Sequence, residues 1–239
     1  MFLIQKYFKL EVITVVLLIV NLAVTHFLEL DTFRLVRLFS LSILIGFYLY
    51  RRHVKSVWVI YAFLFFLIRD IAYQFFEVSW GAETYMTFAT LGYFLLVLDR
   101  VPFFRGTKFS LFAVIFGLLL VVANGTILFE LGNIVSNHVN NNLELLLFYL
   151  YGVSLITLIL TAYYYNHRLN SMRSLLFLMM VFCFVASDIA SCLAYYIDLQ
   201  GLYYLDRTMF ILSMALLVNL GLNIKGAARE EVDFISLQE

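Results

Sequence analysis

The sequence predicts an all-α membrane protein, a polytopic bundle of eight transmembrane helices. Three observations carry this. The chain of 239 residues is 64% hydrophobic and only 13% charged, with a mean hydropathy of +0.94, whereas soluble domains carry about 45–50% apolar and about 25% charged residues. Eight apolar runs approach or exceed the roughly 20 residues that cross a hydrocarbon core of about 30 Å. The runs are too long for barrel strands and lack strict alternation.

The spans are expected at 11–28, 34–50, 57–77, 84–103, 109–129, 143–165, 173–197 and 205–224. The breaks between them are short and polar: the stretch near 26–31, Arg51-Arg52-His53, Trp80-Gly81-Ala82-Glu83, Arg105-Gly106-Thr107-Lys108, the asparagine-rich stretch around 137–142, Asn166-His167-Arg168, and 198–201. One proline and 11 glycines leave no room for a flexible linker. One domain over 1–225 is therefore expected, followed by a short cytoplasmic tail over 226–239. The first run lacks a well-placed small-residue cleavage site and reads as a retained helix.

Orientation follows from Lys and Arg. With eight spans, 12 of the 16 fall on one side: Lys6, Lys9, Arg51, Arg52, Lys55, Arg100, Arg105, Lys108, Arg168, Arg173, Lys225 and Arg229. Arg34, Arg37 and Arg207 are expected at helix ends on the other side, and Arg69 lies within a span. Both termini are thus expected in the cytoplasm, with the chain in the cytoplasmic membrane. The zero net charge argues against a nucleic-acid partner.

Two carboxylates interrupt the apolar spans. Asp70 sits in AFLFFLIRDIAYQFF (62–76) and Asp188 in FCFVASDIASCLAYY (182–196), both followed by Ile-Ala. They are 118 residues apart, about half the chain. Both helices run outward, which puts each aspartate roughly 20 Å from the cytoplasmic edge at 1.5 Å per residue. The spacing suggests two four-helix halves with a site at their interface.

A charge at the bilayer centre costs about 2.5–3.5 kcal/mol on insertion scales, so the pair needs a polar cavity or partners. Asp70 has Tyr73, Gln74 and Glu77 at i+3, i+4 and i+7, and Asp188 has Ser191, Cys192 and Tyr195 there. Each helix therefore carries a polar stripe running outward. Asn124 and Asn21 fall at middle to outer depth and are candidates to line the same cavity. Two close carboxylates drive their pKa values apart and can serve as acid and base. The structural alternative is a buried Arg–Asp pair that holds helices together. Sequence neighbours point about 100° apart on a helix, so Arg69 is expected to pair with Asp188 rather than with Asp70.

Cys183 and Cys192, nine residues apart on one helix, are roughly 13 Å apart and cannot form an intrachain disulfide. The four histidines share no ligand spacing, so no metal site and no cofactor are expected. Asp99-Arg100 reads as a loop anchor. No lysine lies in mid-membrane, which excludes a retinal Schiff base. An arginine ladder, a selectivity-filter signature and a phosphate-binding loop are also missing from the sequence.

Three stretches resemble the YhhN family of lysoplasmalogenase-like membrane proteins: AFLFFLIRDIAYQFF (62–76), FYLYGVSLITLILTA (148–162) and LFLMMVFCFVASDIASCLAYY (176–196). The family's Gly before the first aspartate is Arg69 here. Its helix-four histidine has no counterpart in FATLGYFLLVLDRVPF (88–103), nor its last-helix Ala-Gln in MFILSMALLVNLGL (209–222). The resemblance implies hydrolysis of the vinyl-ether bond of a lysoplasmalogen or related lysolipid, with Asp70 and Asp188 as the acid/base pair. Arg69, Tyr73, Gln74, Ser187, Tyr195 and Asn124 would then contact substrate. The alternative is a non-enzymatic lipid or small-molecule binder or transporter with a protonatable aspartate site.

Overall fold

The computed structural model describes residues 2–51, 56–104 and 110–222, with side chains from Lys9 onward. Arg52, His53, Lys55, Arg105, Lys108, Lys225, Arg229 and the tail 226–239 lie outside the described residues. Eight helices follow one another: α1 (Phe2–Phe27), α2 (Leu30–Tyr50), α3 (Val57–Ala72), α4 (Ser79–Arg100), α5 (Leu111–Val135), α6 (Asn142–Leu169), α7 (Met172–Tyr196) and α8 (Leu202–Leu222). Each is long and apolar enough to cross a membrane. The protein is a multi-pass integral membrane protein.

The boundaries differ from expectation where polar residues are paired. α2 starts at Leu30 and α8 at Leu202, so Arg34, Arg37 and Arg207 lie inside helices and are fully buried, not at exposed ends. They pair with carboxylates, and the pairing offsets part of the desolvation cost of burying them. α4 starts at Ser79, so Trp80–Glu83 is its first turn. α3 stops at Ala72 and tightens into a 3-10 turn over Tyr73–Phe75.

The packing forms a ring of α2, α3, α4, α6, α7 and α8, with α1 and α5 outside it. α1 lies against α8 and α2. It buries one stripe only, Leu10, Thr14, Leu17 and Asn21, the spacing of a coiled-coil seam. α5 lies against α6 and is the least buried span. Gly117 and Gly132 let the hydroxyls of Tyr164 and Tyr149 sit directly on its backbone.

Adding four to a helix number maps neighbours onto neighbours. The pairs α1·α2, α2·α3, α3·α4 and α2·α8 become α5·α6, α6·α7, α7·α8 and α6·α4, all of them packed. Phe66 and Phe184, one turn before the two aspartates, meet with ring centroids 5.4 Å apart where the halves join. The mapping is incomplete, since α1·α8 is a closer pair than α5·α4.

Candidate functional site

The loops 28–29, 76–78, 136–141 and 197–201 gather at the end of the bundle opposite the N-terminus, here the distal end. Arg34 of α2 bonds Glu77 beyond α3, Asn141 of the α5–α6 loop bonds Ser79, and His26 of α1 meets Tyr204 of α8. None of these four loops contains Lys or Arg.

Below this end a polar chain crosses the bundle. Ser187 Oγ donates to Asp206 Oδ1 at 2.6 Å, and Arg207 Nη2 lies 3.3 Å from Asp206 Oδ2. Arg37 Nη1 lies 3.6 Å from Asp206 Oδ1, and its Nε donates to Asp70 Oδ2 at 3.2 Å. Arg69 Nε donates to Asp70 Oδ1 at 2.9 Å, and its Nη1 reaches the Tyr93 hydroxyl at 3.4 Å. Tyr93 donates to Asp188 Oδ2 at 2.5 Å, and the Tyr151 hydroxyl reaches the same carboxylate. All these side chains are buried.

This overturns the expected pairing. Arg69 bonds its own neighbour Asp70, because the long guanidinium curls back across the 100° between adjacent helical positions. Asp70 is thereby clamped between two arginines. Asp188, by contrast, has no ion pair among the described residues, only phenols.

Asp188 borders a chamber of about 40 Å³. α7 supplies Asp188, Ser191, Cys192, Tyr195 and Tyr196, the stripe at i, i+3, i+4, i+7 and i+8. Tyr73 and Phe76 close it from the end of α3, Tyr85 and Met86 from α4, and Phe148 and Tyr151 from α6. Phe76, Tyr195 and Tyr196 also line an outer vestibule of about 310 Å³, together with Glu77, His138, Asn140 and Glu144. The three rings thus divide an acidic entrance from the inner chamber.

Of the sequence-predicted residues, Asp188, Tyr73 and Tyr195 line the chamber. Asp70 and Arg69 lie behind it in the polar chain. Gln74 bonds the Asp70 carbonyl of its own helix, and Ser187 faces Asp206. Asn124 bonds the Leu120 carbonyl on peripheral α5, and Asn21 bonds Leu17 and Ser40. A polar side chain in an apolar span satisfies itself on its own backbone when no partner helix offers a group. Asp99-Arg100 holds the other end of the bundle, with Ser56 on Asp99 and Arg100 on the Tyr165 hydroxyl.

Arg37, Tyr93, Tyr151, Glu144 and the pair Asp206-Arg207 were missed. Asp206-Arg207 carried a usable signal, adjacent charges at the start of a span. Tyr93 and Tyr151 carried none, since they are two of 16 tyrosines in the chain.

Glu77 stands at the mouth. Burial pushes its carboxyl pKa up, but the hydrogen bonds and charge of Arg34 prevail and hold it below the ordinary glutamate value. Arg34 grips it through both terminal nitrogens, at 3.0 and 2.7 Å. The guanidinium also lies 4.6 Å from the Tyr73 ring centre and 6.0 Å from that of Tyr195, so the latch is built onto the chamber walls.

Among the described residues no cluster of three or more metal-ligating side chains occurs. Comparison of the chain with protein-family models, with curated proteins and with solved structures returns no match.

Proposed function

We propose that the protein is a membrane binding protein that admits a small polar ligand from the distal surface to Asp188. One observation carries this reading: a buried carboxylate with only phenols for partners, facing a chamber that joins an acidic vestibule. The excess of Lys and Arg on the opposite side supports cytoplasmic termini in a cytoplasmic membrane, and hence entry from the outer face. A chamber of about 40 Å³ has room for a few waters, at about 10–15 Å³ each, or a group of similar size. Cys192 in its wall is the reporter. The neutral reagent methyl methanethiosulfonate is expected to modify Cys192 in the folded protein, read by peptide mass. Inertness of Cys192 in the folded protein, with full reaction after denaturation, would overturn the reading.

The second reading is the hydrolase implied by the likeness to the YhhN family, acting on a lysoplasmalogen or related lysolipid. It is favoured by Asp188 being held by two phenols in the wall of a mostly aromatic chamber. Protonated Asp188 would deliver its proton to the vinyl-ether carbon, giving an oxocarbenium ion. Water would add to that ion as the carboxylate takes the water's proton, and the hemiacetal would collapse to aldehyde and alcohol. Asp70, neutralised by Arg37 and Arg69, would act through Tyr93 as a positioning residue and not as the second half of a dyad. Aldehyde release from lysoplasmalogen that disappears in Asp188→Asn is the expected result. No release from folded wild-type protein would discard this reading and leave the first intact.

A further inference from the structure

The nature of the ligand follows from the walls. Seven of the eleven residues around the inner chamber are aromatic: Tyr73, Phe76, Tyr85, Phe148, Tyr151, Tyr195 and Tyr196. The faces of such rings carry negative potential and attract cations. In this protein they already do so. Guanidinium groups lie over Tyr73 at 4.6 Å (Arg34) and over Tyr85 at 5.6 Å (Arg69). Among the described residues Phe76, Phe148, Tyr151 and Tyr196 have no guanidinium against them; Tyr151 stacks on Tyr93 and Tyr196 lies against His138, and all four rings border the chamber.

Charge points the same way. The carboxylates of the distal half differ in their partners. Asp70, Asp206 and Glu77 each touch an arginine. Asp188 and Glu144 touch none among the described residues, and the carboxylate of Glu144, 3% exposed, accepts only from the backbone and side-chain amides of Asn140. One unpaired carboxylate lies in the vestibule wall and the other in the chamber wall. An entering cation would meet both in turn.

We infer that the chamber is a site for an organic ammonium group, with Asp188 as its counter-ion and the rings of Phe76, Phe148, Tyr151 and Tyr196 as its cage. This rests on the binding reading above and names its ligand class. The ammonium group can belong to a free amine or to a lipid headgroup. Methyl groups on nitrogen suit the aromatic walls, because an apolar cation loses little hydration on entry.

The test uses the rate at which Cys192 is modified in the full-length protein in detergent, mapped by peptide mass so that Cys183 is read separately. Three methanethiosulfonates are compared: the neutral methyl, the cationic trimethylammonioethyl and the anionic sulfonatoethyl reagent. Each rate is divided by that with a small free thiol. The cationic reagent is expected to lead the anionic one by about tenfold or more, as one-signed clefts do. Asp188→Asn is expected to remove most of that preference, and tetramethylammonium ion to slow all three reagents. Protection by a lysolipid with a trimethylammonium headgroup, but not by the free ion, would assign the group to a lipid. Equal normalised rates for the three reagents would overturn the ammonium assignment while the chamber remains open to ligand. So would equal protection by the neutral isostere 3,3-dimethylbutanol. Failure of every reagent, the neutral one included, would instead overturn the binding reading.

Discussion

Asp70 touches two guanidinium groups and Asp188 touches none, although both follow a phenylalanine by four residues and precede Ile-Ala. The two residues should therefore respond differently to the same change. Asp70→Asn leaves Arg37 and Arg69 buried without their shared anion. Breaking a buried pair in this way costs about 3–5 kcal/mol, to be read from a denaturant titration in detergent. Asp188→Asn keeps an acceptor for the phenols and should stay within about 1 kcal/mol of wild type. Equal losses for the two would refute the division of roles.

Glu77 has a folded pKa below its unfolded one, so its bond to Arg34 stabilises the protein above the ordinary glutamate range of about 4.3. That contribution disappears as pH falls through the depressed value. Wild type should melt above Glu77→Gln near neutral pH, and the gap should close in acid. A gap that does not narrow as the pH falls below the ordinary glutamate range would contradict the assignment.

At the scale of elements, the break after α3 builds the mouth of the site. The tightening at Tyr73–Phe75 turns Phe76 and Glu77 toward the vestibule, and α4 starts only three residues later. Gly81 makes this possible, because a Cβ there would run into the backbone carbonyl of Phe75. Backbone cannot rotate aside as a side chain can. Gly81→Ala should therefore cost at least the roughly 1–3 kcal/mol of an overpacked core and should change Cys192 reactivity as Phe76 moves. An unchanged melting temperature would show that the junction gives freely.

Across the whole molecule, the contacts that define the site join α1–α4 to α5–α8. Tyr93 meets Asp188, Arg37 meets Asp206, and Phe66 meets Phe184. Neither half can satisfy its buried charges alone. Residues 1–106 and 107–239 expressed as separate chains should copurify through a tag on one of them, and each should aggregate or be degraded when expressed alone. Asp188→Asn should weaken the copurification less than Arg37→Gln. Two halves that are each stable alone would mean that the interface is not what organises the fold.

Membrane insertion, the number of spans, and two carboxylates at matched depth were legible in the sequence, because span length and the cost of a buried charge are local quantities. The outward stripe from Asp188 was legible too, since helical periodicity is local. The partners of each aspartate were not. Arg34, Arg37 and Arg207 looked like helix-end charges, because a sequence reads them as unpaired and therefore excludes them from lipid. Only the packing of α2 against α3 and α8 brings Glu77, Asp70 and Asp206 to Arg34 and Arg37, whereas Arg207 meets its own neighbour Asp206. The same packing took Asp70 out of the candidate dyad and left Asp188 facing the chamber. That outcome depends on groups 33 to 169 residues apart along the chain, a separation at which pairing is decided by tertiary structure and not by spacing.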